Sequence, residues 1–185
     1  MEKGKFIVIS GPSGVGKGTI CNKLIDDSLA EYSVSYTTRE PREGEVDGVN
    51  YNFISKVEFE KMIDRGDFLE YNCYNGNYYG TSKEYVMDKV DNGINVILEI
   101  DVNGAKNVKK IYSDALLIYI APPSMEELEK RLIGRGTEDK EKIKARLEIA
   151  KEEMNQVNIY DYVVVNNDLD TAINEVKNII LGWMK

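Results

Sequence analysis

The sequence predicts an α/β protein whose core is a parallel β-sheet with α-helices on both faces. Short apolar runs such as Phe6–Ile9 and Ala115–Ile120 are typical of strands that are buried on both sides of a sheet. Helix-length segments with apolar residues at three- and four-residue spacing lie between these runs. Strands that alternate with helices favour parallel pairing through right-handed crossovers.

The composition is that of a globular protein with one core. The chain has 185 residues, of which 42% are hydrophobic and 30% are charged, which allows one core with small inserted lobes. A net charge of −8 argues against generic nucleic-acid binding, which needs a basic face. Cys21 and Cys73 have no metal-site spacing and cannot form a disulfide framework. Histidine, the commonest general base, is absent from the chain.

The first predicted strand begins almost at the N-terminus. We find no signal peptide and no apolar run long enough to span a membrane, and we expect a cytoplasmic enzyme or binding protein without a membrane partner. The sequence does not determine the oligomeric state, and a homodimer stays open.

A glycine-rich stretch, Ser10–Thr19, joins the first predicted strand to the first predicted helix. The spacing of Gly11, Gly16 and Lys17 fits the pattern G-x-x-x-x-G-K of a phosphate-binding loop. In such a loop the glycines let successive N–H groups face one anion, and the helix N-terminus adds partial positive charge. The alternative is a glycine-rich turn with a surface lysine. The flanking strand and helix favour the phosphate-binding interpretation.

Residues that could approach a divalent cation lie at two places. Gly18 stands where the usual loop has a serine or threonine, and the hydroxyl comes one residue later, at Thr19. Glu99 and Asp101 end the predicted buried strand at 94–100, at the edge where open α/β sheets bind ligands. Both carboxylates suit a role near Mg²⁺. Asp101 also precedes a predicted helix, so it can equally be the N-cap of that helix.

A register argument brings two polar residues together in a predicted hairpin. Asn75-Gly76 is a strong turn signal between the predicted strands Phe68–Tyr74 and Asn77–Thr81. A two-residue turn pairs Glu70 with Thr81 on one face, with Cβ atoms roughly 5 Å apart. From the pattern alone, a solvated hairpin face with a polar pair is the favoured interpretation.

Three arginines flank a glycine-containing break in the second half of the chain. Arg131 and Arg135 lie one helical turn apart, and Arg146 lies on a helix predicted to begin at Thr137 or Glu138. This arrangement predicts a mobile cationic flap. A charged helical surface is the alternative. Lysine is the usual surface cation of this chain, but arginine stands at all three of these positions, and this choice favours the flap.

Five sequence motifs occur in order along the chain. The motifs are Gly-Pro-Ser-Gly-Val-Gly-Lys-Gly-Thr at 11–19, Ser-Val-Ser-Tyr-Thr-Thr-Arg-Glu-Pro-Arg at 33–42, Gly-Asn-Tyr-Tyr-Gly-Thr at 76–81, Leu-Glu-Ile-Asp-Val-Asn-Gly at 98–104 and Arg-Gly-Thr at 135–137. Each motif is weak alone, but five in order at compatible spacing are a strong signal. Together they resemble guanylate kinase over Phe6 to about Asp170. Gly18-Thr19 after Lys17, in place of the usual serine or threonine, recurs in nucleoside monophosphate kinases generally, whereas Glu99 occupies a place where aspartate is common in the family.

The resemblance implies Mg²⁺-dependent phosphate transfer from ATP to GMP, giving ADP and GDP, in purine nucleotide metabolism and GMP recycling. It implies one guanylate-kinase-like domain over 1–185. Its parts are a phosphate-loop NTPase core at 1–32, 82–125 and 151–185, a mixed GMP-binding lobe at 33–81 and a helical lid at 126–150. The implied partners are the small-molecule substrates ATP and GMP.

The resemblance also implies site residues by position. The ATP-binding residues are Gly11, Pro12, Ser13, Gly14, Val15, Gly16, Lys17, Gly18, Thr19 and, for adenine, Asn167 or its neighbours. Those that bind GMP are Arg39, Arg42, Tyr51 and Tyr79 at the phosphate, and Ser35, Glu70, Thr81 and Asp101 at the guanine. The catalytic set is Lys17, Arg131, Arg135 and Arg146, and the metal set, in part through water, is Thr19, Glu99 and Asp101.

The implied chemistry agrees with the residue types. Phosphoryl transfer needs alignment and charge compensation more than a strong general base, so the missing histidine is no obstacle. Glu70 can accept from the N1–H and 2-amino groups of guanine while Thr81 donates to O6. Adenine has an acceptor at N1 and would leave Glu70 unpaired.

Two other functions fit parts of the sequence. A non-catalytic guanylate-kinase-like module that binds phosphopeptides tends to have a damaged phosphate loop or lid, whereas Lys17 and the three arginines are all present here. A phosphate-loop GTPase is disfavoured because we find no Asn-Lys-x-Asp guanine motif.

Overall fold

The structure, a computed structural model, describes residues 3–74, 76–134 and 140–185. The strands of this part are β1 (Phe6–Ser10), β2 (Glu31–Tyr32), β3 (Tyr36–Thr37), β4 (Asn52–Phe53), β5 (Phe68–Tyr74), β6 (Asn77–Ser82), β7 (Val96–Glu99), β8 (Leu116–Ala121) and β9 (Tyr162–Val165). Its helices are α1 (Lys17–Asp26), α2 (Lys56–Arg65), α3 (Lys83–Asp91), α4 (Val102–Ile111), α5 (Met125–Gly134), α6 (Lys140–Met154) and α7 (Leu169–Trp183), with a short 3₁₀ helix at Val157–Ile159.

The core sheet has the strand order β2-β7-β1-β8-β9, and every neighbouring pair is parallel. One apolar cluster joins β1 residues such as Ile7 and Ile9 to Leu24 of α1 and Val176 of α7. A second cluster covers the other face, where strand residues including Val8 pack with side chains of α3 and α4. The predicted α/β class, with helices on both faces, is confirmed. Because both faces are covered, the strands are almost continuously apolar.

A second, four-stranded sheet has the order β4-β3-β6-β5 and contains the hairpin. The pairs Glu70 with Thr81, Asn72 with Tyr79 and Tyr74 with Asn77 have the predicted register. Asn75 of the predicted turn lies outside the described residues. On the back of this sheet, Phe59 of α2 stacks on Phe68 at 4.4 Å and on Tyr78 at 5.2 Å between ring centroids. Aromatic packing therefore holds the hairpin against α2.

Side-chain oxygens cap the N-termini of α2, α3, α4 and α5, and the N-cap that the sequence allows for Asp101 is among them. Ser55 accepts a hydrogen bond from the Glu58 amide at 3.2 Å, and Ser124 accepts one from the Glu127 amide at 3.1 Å. Ser82 caps α3 in the same way. Asp101 accepts from the Gly104 amide at 2.8 Å and caps α4. Each cap satisfies an amide that the first helical turn leaves unpaired.

The short strands β2 and β3 are not predicted by any periodicity of the sequence. Each has two residues, which is too short for a period of two to be recognised. β2 forms because it pairs with the edge of the core sheet. The Glu31 backbone amide donates to the Asn95 carbonyl, and the Ser33 backbone amide donates to the Ile97 carbonyl. The predicted helix start at Thr137 or Glu138 lies outside the described residues.

None of the helices in the described ranges is long and apolar enough to cross a membrane.

Candidate active site

A cavity of about 310 Å³ lies between the phosphate loop and the second sheet. It opens at the C-terminal ends of β1 and β7, where the end of β7 contributes Glu99, Ile100 and Asp101. This edge of a parallel sheet is where ligands bind in open α/β folds. The second sheet and its loops contribute Ser35, Arg39, Arg42, Tyr51, Glu70, Asn72, Tyr74, Asn77, Tyr79 and Gly80.

The phosphate loop is held in shape by glycine backbone conformations and close packing. Gly11, Gly14 and Gly16 have φ angles of +141°, +92° and +101°, which residues with a side chain rarely adopt. A Cβ atom on Gly11 would lie 2.2 Å from the carbonyl oxygen of Ile120 on β8. The loop is tied from the other side by Asn166, whose amide donates to the Val15 carbonyl at 2.8 Å.

We predict that Gly11→Ala destabilises the protein by about 2–4 kcal/mol, because the new methyl group overlaps a backbone oxygen that cannot move away. Gly44→Ala is the matched control, since Gly44 has a φ of +83° but nothing within 4 Å of its added Cβ. Both variants strain the backbone, but only Gly11→Ala adds an atomic overlap, so the difference between their free energies of unfolding in urea measures the overlap. Equal losses of unfolding free energy in the two variants would contradict the packing argument.

The cations predicted to be catalytic occupy different places. Lys17 Nζ donates to the carbonyls of Gly11 and Pro12, at 2.7 and 3.1 Å, and lines the cavity. Arg146, on α6, is 9% exposed and donates to the Ser13 hydroxyl at 3.3 Å. Arg131 is paired with Glu127 on its own helix at 3.2 Å and does not line the cavity.

Arg135, the remaining predicted arginine, lies outside the described residues. Asn167, predicted at the adenine site, is exposed and is not among the residues that line this cavity. Its buried neighbour Asn166 is the residue that reaches the phosphate loop.

The acidic end of β7 approaches the start of α1. The Glu99 carboxylate accepts from the Tyr32 hydroxyl at 3.1 Å, and its Oε2 would lie 3.7 Å from a Cβ on Gly18. Asp101 caps α4 with one oxygen and accepts from Asn72 Nδ2 with the other, at 2.6 Å. In the described ranges no three acidic, cysteine or histidine side chains cluster closely enough to hold a metal ion by themselves.

Arg39 presents a fork of donors near the cavity. Its two terminal nitrogens each donate to one Glu45 carboxylate oxygen, both at 2.9 Å. The guanidinium also lies 5.3 Å from the Tyr51 ring centroid, a cation–π distance. Although burial works in the opposite direction, the bond from Arg39 lowers the pKa of Glu45. Arg39 is therefore preset to bind two oxygens of one anion.

Glu70 and Thr81 meet as the hairpin register predicts. Thr81 Oγ1 donates to Glu70 Oε1 at 2.6 Å, and the two residues are 0% and 7% exposed, respectively. Burial raises the pKa of Glu70 to about 7; the Asp101 charge adds to the rise and the Thr81 bond opposes it. A Cβ on Gly104 would lie 2.7 Å from Glu70 Oε2, so α4 packs directly on this carboxylate. Thr81 lies behind Glu70 and does not line the cavity, whereas the buried Ser35 does.

Two kinds of cavity residue are absent from the sequence-based assignment. Asn72, Tyr74 and Asn77 share the hairpin face of Glu70, so the register argument could have included them. Glu153 comes from α6, seven residues after Arg146 and on the same helical face. Its only sequence signal is that spacing, in a helix where charged residues are dense.

The parallel sheet, the glycine-rich loop after β1 and the cavity beside it are typical of the phosphate-loop kinases. The family model described as guanylate kinase matches residues 3–182. The crystal structure of guanylate kinase from Anaplasma phagocytophilum is similar to this chain, with 34% identity and a TM-score of 0.85. That match covers 100% of this chain and 88% of the other.

The chain therefore belongs to the guanylate kinase family. It is a nucleoside monophosphate kinase, and its reaction is the ATP-dependent phosphorylation of GMP to GDP. The sequence-based prediction of an ATP:GMP phosphotransferase is confirmed.

Proposed function

We propose that ATP and GMP meet in the described cavity and that the residues around it carry out the transfer. The observation that carries this proposal is that one cavity is lined both by Lys17 of the phosphate loop and by Glu70 of the second sheet. Two charged substrates held in one enclosed space need little covalent assistance, because alignment and charge compensation supply most of the acceleration.

The GMP phosphate is bound by Arg39 and Arg42 together with the hydroxyls of Tyr51 and Tyr79. Supporting this, Arg39 already binds two oxygens of Glu45 with its fork, a geometry that matches phosphate equally well. Glu45 also accepts from the Arg42 amide at 2.7 Å. The Glu45 carboxylate therefore keeps the loop at 39–45 ordered until the GMP phosphate binds.

Guanine is selected by hydrogen bonds to Glu70, with Ser35, Thr81 and Asp101 around it. The ionised carboxylate accepts from N1–H and from the 2-amino group of guanine. Thr81 steers Glu70 in the structure, and its role as a donor to O6 stays a prediction. A buried carboxylate without its two donors is costly, and this cost disfavours adenine and the pyrimidines.

The negative charge on the transferring phosphoryl group is compensated by four cations, Lys17, Arg131, Arg135 and Arg146. Residues 11–19 bind the ATP phosphates through their backbone amides. Arg146 supports this role because it reaches the Ser13 hydroxyl from α6. The adenine is assigned to the neighbourhood of Asn167. Closure of the lid at 126–150 over the core and the GMP-binding lobe at 33–81 would exclude water, so that GMP rather than water accepts the phosphate.

Mg²⁺ fits the oxygen donors of the site. Thr19, Glu99 and Asp101 would hold it, in part through water, together with the phosphates of ATP. Bound there, it would neutralise charge on the phosphates that the protein's cations do not reach. Thr19 lines the cavity, and the Glu99 carboxylate lies beside Gly18.

We propose the same division of the chain into core, lobe and lid that the resemblance implies. The single domain divides into a core at 1–32, 82–125 and 151–185, with the lobe and the lid as its inserted parts. We assign the enzyme to the cytoplasm, acting on free ATP and GMP with no nucleic-acid or membrane partner. Light scattering coupled to gel filtration distinguishes a monomer from a homodimer.

A panel of the four nucleoside monophosphates tests the proposed site. We expect ADP release with GMP and ATP–Mg²⁺, and a kcat/KM at least about 10³-fold lower with AMP, CMP or UMP, because only guanine satisfies Glu70. EDTA in excess over Mg²⁺ should stop the GMP reaction. A coupled assay of ADP release measures each rate, and equal turnover of AMP would contradict the guanine assignment.

A further inference from the structure

Asn72 is a cavity residue to which the proposed guanine site gives no role. It lies on β5, two residues after Glu70, and lines the cavity from the same hairpin face. Its Nδ2 atom donates to Asp101 Oδ2 at 2.6 Å. Asp101 stands two residues after the end of β7, so this bond joins the second sheet to the ligand-binding edge of the core sheet.

Both oxygens of the Asp101 carboxylate accept a hydrogen bond, and the two donors come from different elements. Oδ1 accepts from the Gly104 backbone amide of α4 at 2.8 Å, and Oδ2 accepts from Asn72 of β5. The first bond alone would let the carboxylate turn about its contact with α4. The second bond, from the hairpin, fixes the plane of the carboxylate within the cavity.

Glu70 and Asp101 converge on the first turn of α4. The Gly104 amide bonds to Asp101, and a Cβ atom on Gly104 would lie 2.7 Å from Glu70 Oε2. Like charges this near repel each other, so each carboxylate needs a donor to hold it. The hairpin supplies one to each, because Thr81 donates to Glu70 and Asn72 donates to Asp101, both at 2.6 Å.

The chemistry of guanine gives the two carboxylates different partners. Its Watson–Crick edge carries donor hydrogens on N1 and on the 2-amino group, and one carboxylate can bind the N1 hydrogen together with the nearer amino hydrogen. The farther amino hydrogen needs a second acceptor, since a buried donor without a partner is costly. Each carboxylate oxygen has two lone pairs, so Asp101 can accept this hydrogen and keep both of its protein donors.

We propose that Asn72 is a positioning residue for guanine recognition: its amide aligns Asp101 with the farther hydrogen of the 2-amino group. The inference rests on the proposed placement of guanine at Glu70 and Asp101. Asn72 acts through Asp101 and does not itself bind the nucleotide. Selectivity for guanine over hypoxanthine, which lacks the 2-amino group, therefore depends on Asn72.

Two substitutions separate the amide donor from the shape of the side chain. Asn72→Leu removes the donor and keeps a side chain branched at the same atom, whereas Asn72→Ala removes both. We expect the Kd for GMP to rise about 5- to 20-fold in each variant, because Asp101 loses a charge-assisted hydrogen bond. The Kd for IMP, whose base is hypoxanthine, and that for Mg²⁺–ADP should stay within about twofold. Cys73→Ala is the matched control, since Cys73 is exposed on the other face of β5.

The effect must pass through Asp101 if the proposal holds. Asp101→Ser keeps an N-cap for α4 and removes the oxygen that accepts from Asn72. In this background, Asn72→Leu is expected to change the Kd for GMP by less than about twofold. Isothermal titration measures GMP and Mg²⁺–ADP directly and IMP as a competitor of GMP. Equal weakening of GMP in both backgrounds overturns the proposal, and so does equal weakening of GMP and IMP.

The remaining outcomes each have one meaning. Wild-type GMP affinity in Asn72→Leu, with a loss in Asn72→Ala, shows a packing role and overturns the proposal. A matching loss of Mg²⁺–ADP affinity places Asp101 with the metal and overturns it as well. If Asp101→Ser alone leaves GMP binding unchanged, the proposed guanine role of Asp101 fails and the inference fails with it. If Asp101→Ser weakens GMP binding but both Asn72 variants bind GMP as the wild type does, only the inference about Asn72 fails.

Discussion

Replacing Lys17 by methionine is expected to lower kcat about 10³-fold while the protein stays folded. The ammonium group is the one full positive charge that the phosphate loop itself contributes, and loss of a single preorganised charge at the reacting phosphate costs about 10²–10³ in rate. Methionine is one atom shorter than lysine and keeps most of the apolar part of the side chain. The change therefore removes the charge with little effect on shape.

The fold should tolerate this change because the lysine makes few structural contacts. Its Nζ donates to two loop carbonyls, and each such bond is worth about 0.5–1.5 kcal/mol. Lys23→Met is the control, since Lys23 is exposed on the same helix. Steady-state assays with thermal melts separate activity from stability. Retention of activity in Lys17→Met, with Lys23→Met unaffected, would remove the phosphate-loop mechanism.

Glu70→Gln is expected to raise the KM for GMP about 10²-fold or more and to leave the KM for ATP within about twofold. The glutamine amide can accept with only one atom and turns its NH₂ group towards a guanine donor, so a buried donor is left unpaired. Glu84→Gln, an exposed residue on α3, is the matched control. An equal rise of both KM values would show a general distortion of the site and contradict the role in guanine recognition.

The same residue predicts a pH dependence with a defined sign. Burial raises the pKa of Glu70 to about 7, and GMP binding needs the ionised carboxylate. Below about pH 7 the wild-type KM for GMP should therefore rise up to tenfold per pH unit, and above pH 8 it should level off. This rise should be absent from Glu70→Gln, whose amide does not titrate. Initial rates at saturating ATP between pH 5.5 and 8.5 measure it.

Local sequence rules predicted most elements because each rule acts over a few residues. The cap at Asp101, the apolar run at β1 and the turn that pairs Glu70 with Thr81 depend only on neighbours in the chain. The two-residue strand β2 could not be predicted in this way. It exists because the edge of β7 offers unpaired backbone groups, and those come from residues more than sixty positions away.

The same limit applies to the site. The phosphate loop and the pairing of Glu70 with Thr81 were predictable from spacing. The solvated hairpin face that the pattern favoured is wrong, because packing against neighbouring elements buries both residues. The pairing of Arg39 with Glu45 and that of Asp101 with Asn72 follow from how side chains pack, which spacing does not encode. Arg131 pairs with Glu127 of its own helix, and its role at the transferred phosphoryl group stays a prediction.

The sequence by itself determined the fold class, the phosphate loop and the family, because periodicity and short motifs are properties of neighbouring residues. The tertiary structure decided the protonation equilibria of the carboxyl groups in the site. Burial at the junction of α4, α6 and the hairpin raises the pKa of both Glu70 and Glu153 to about 7. That junction joins residues that are distant along the chain, and the removal of water from their carboxylates is a consequence of packing alone.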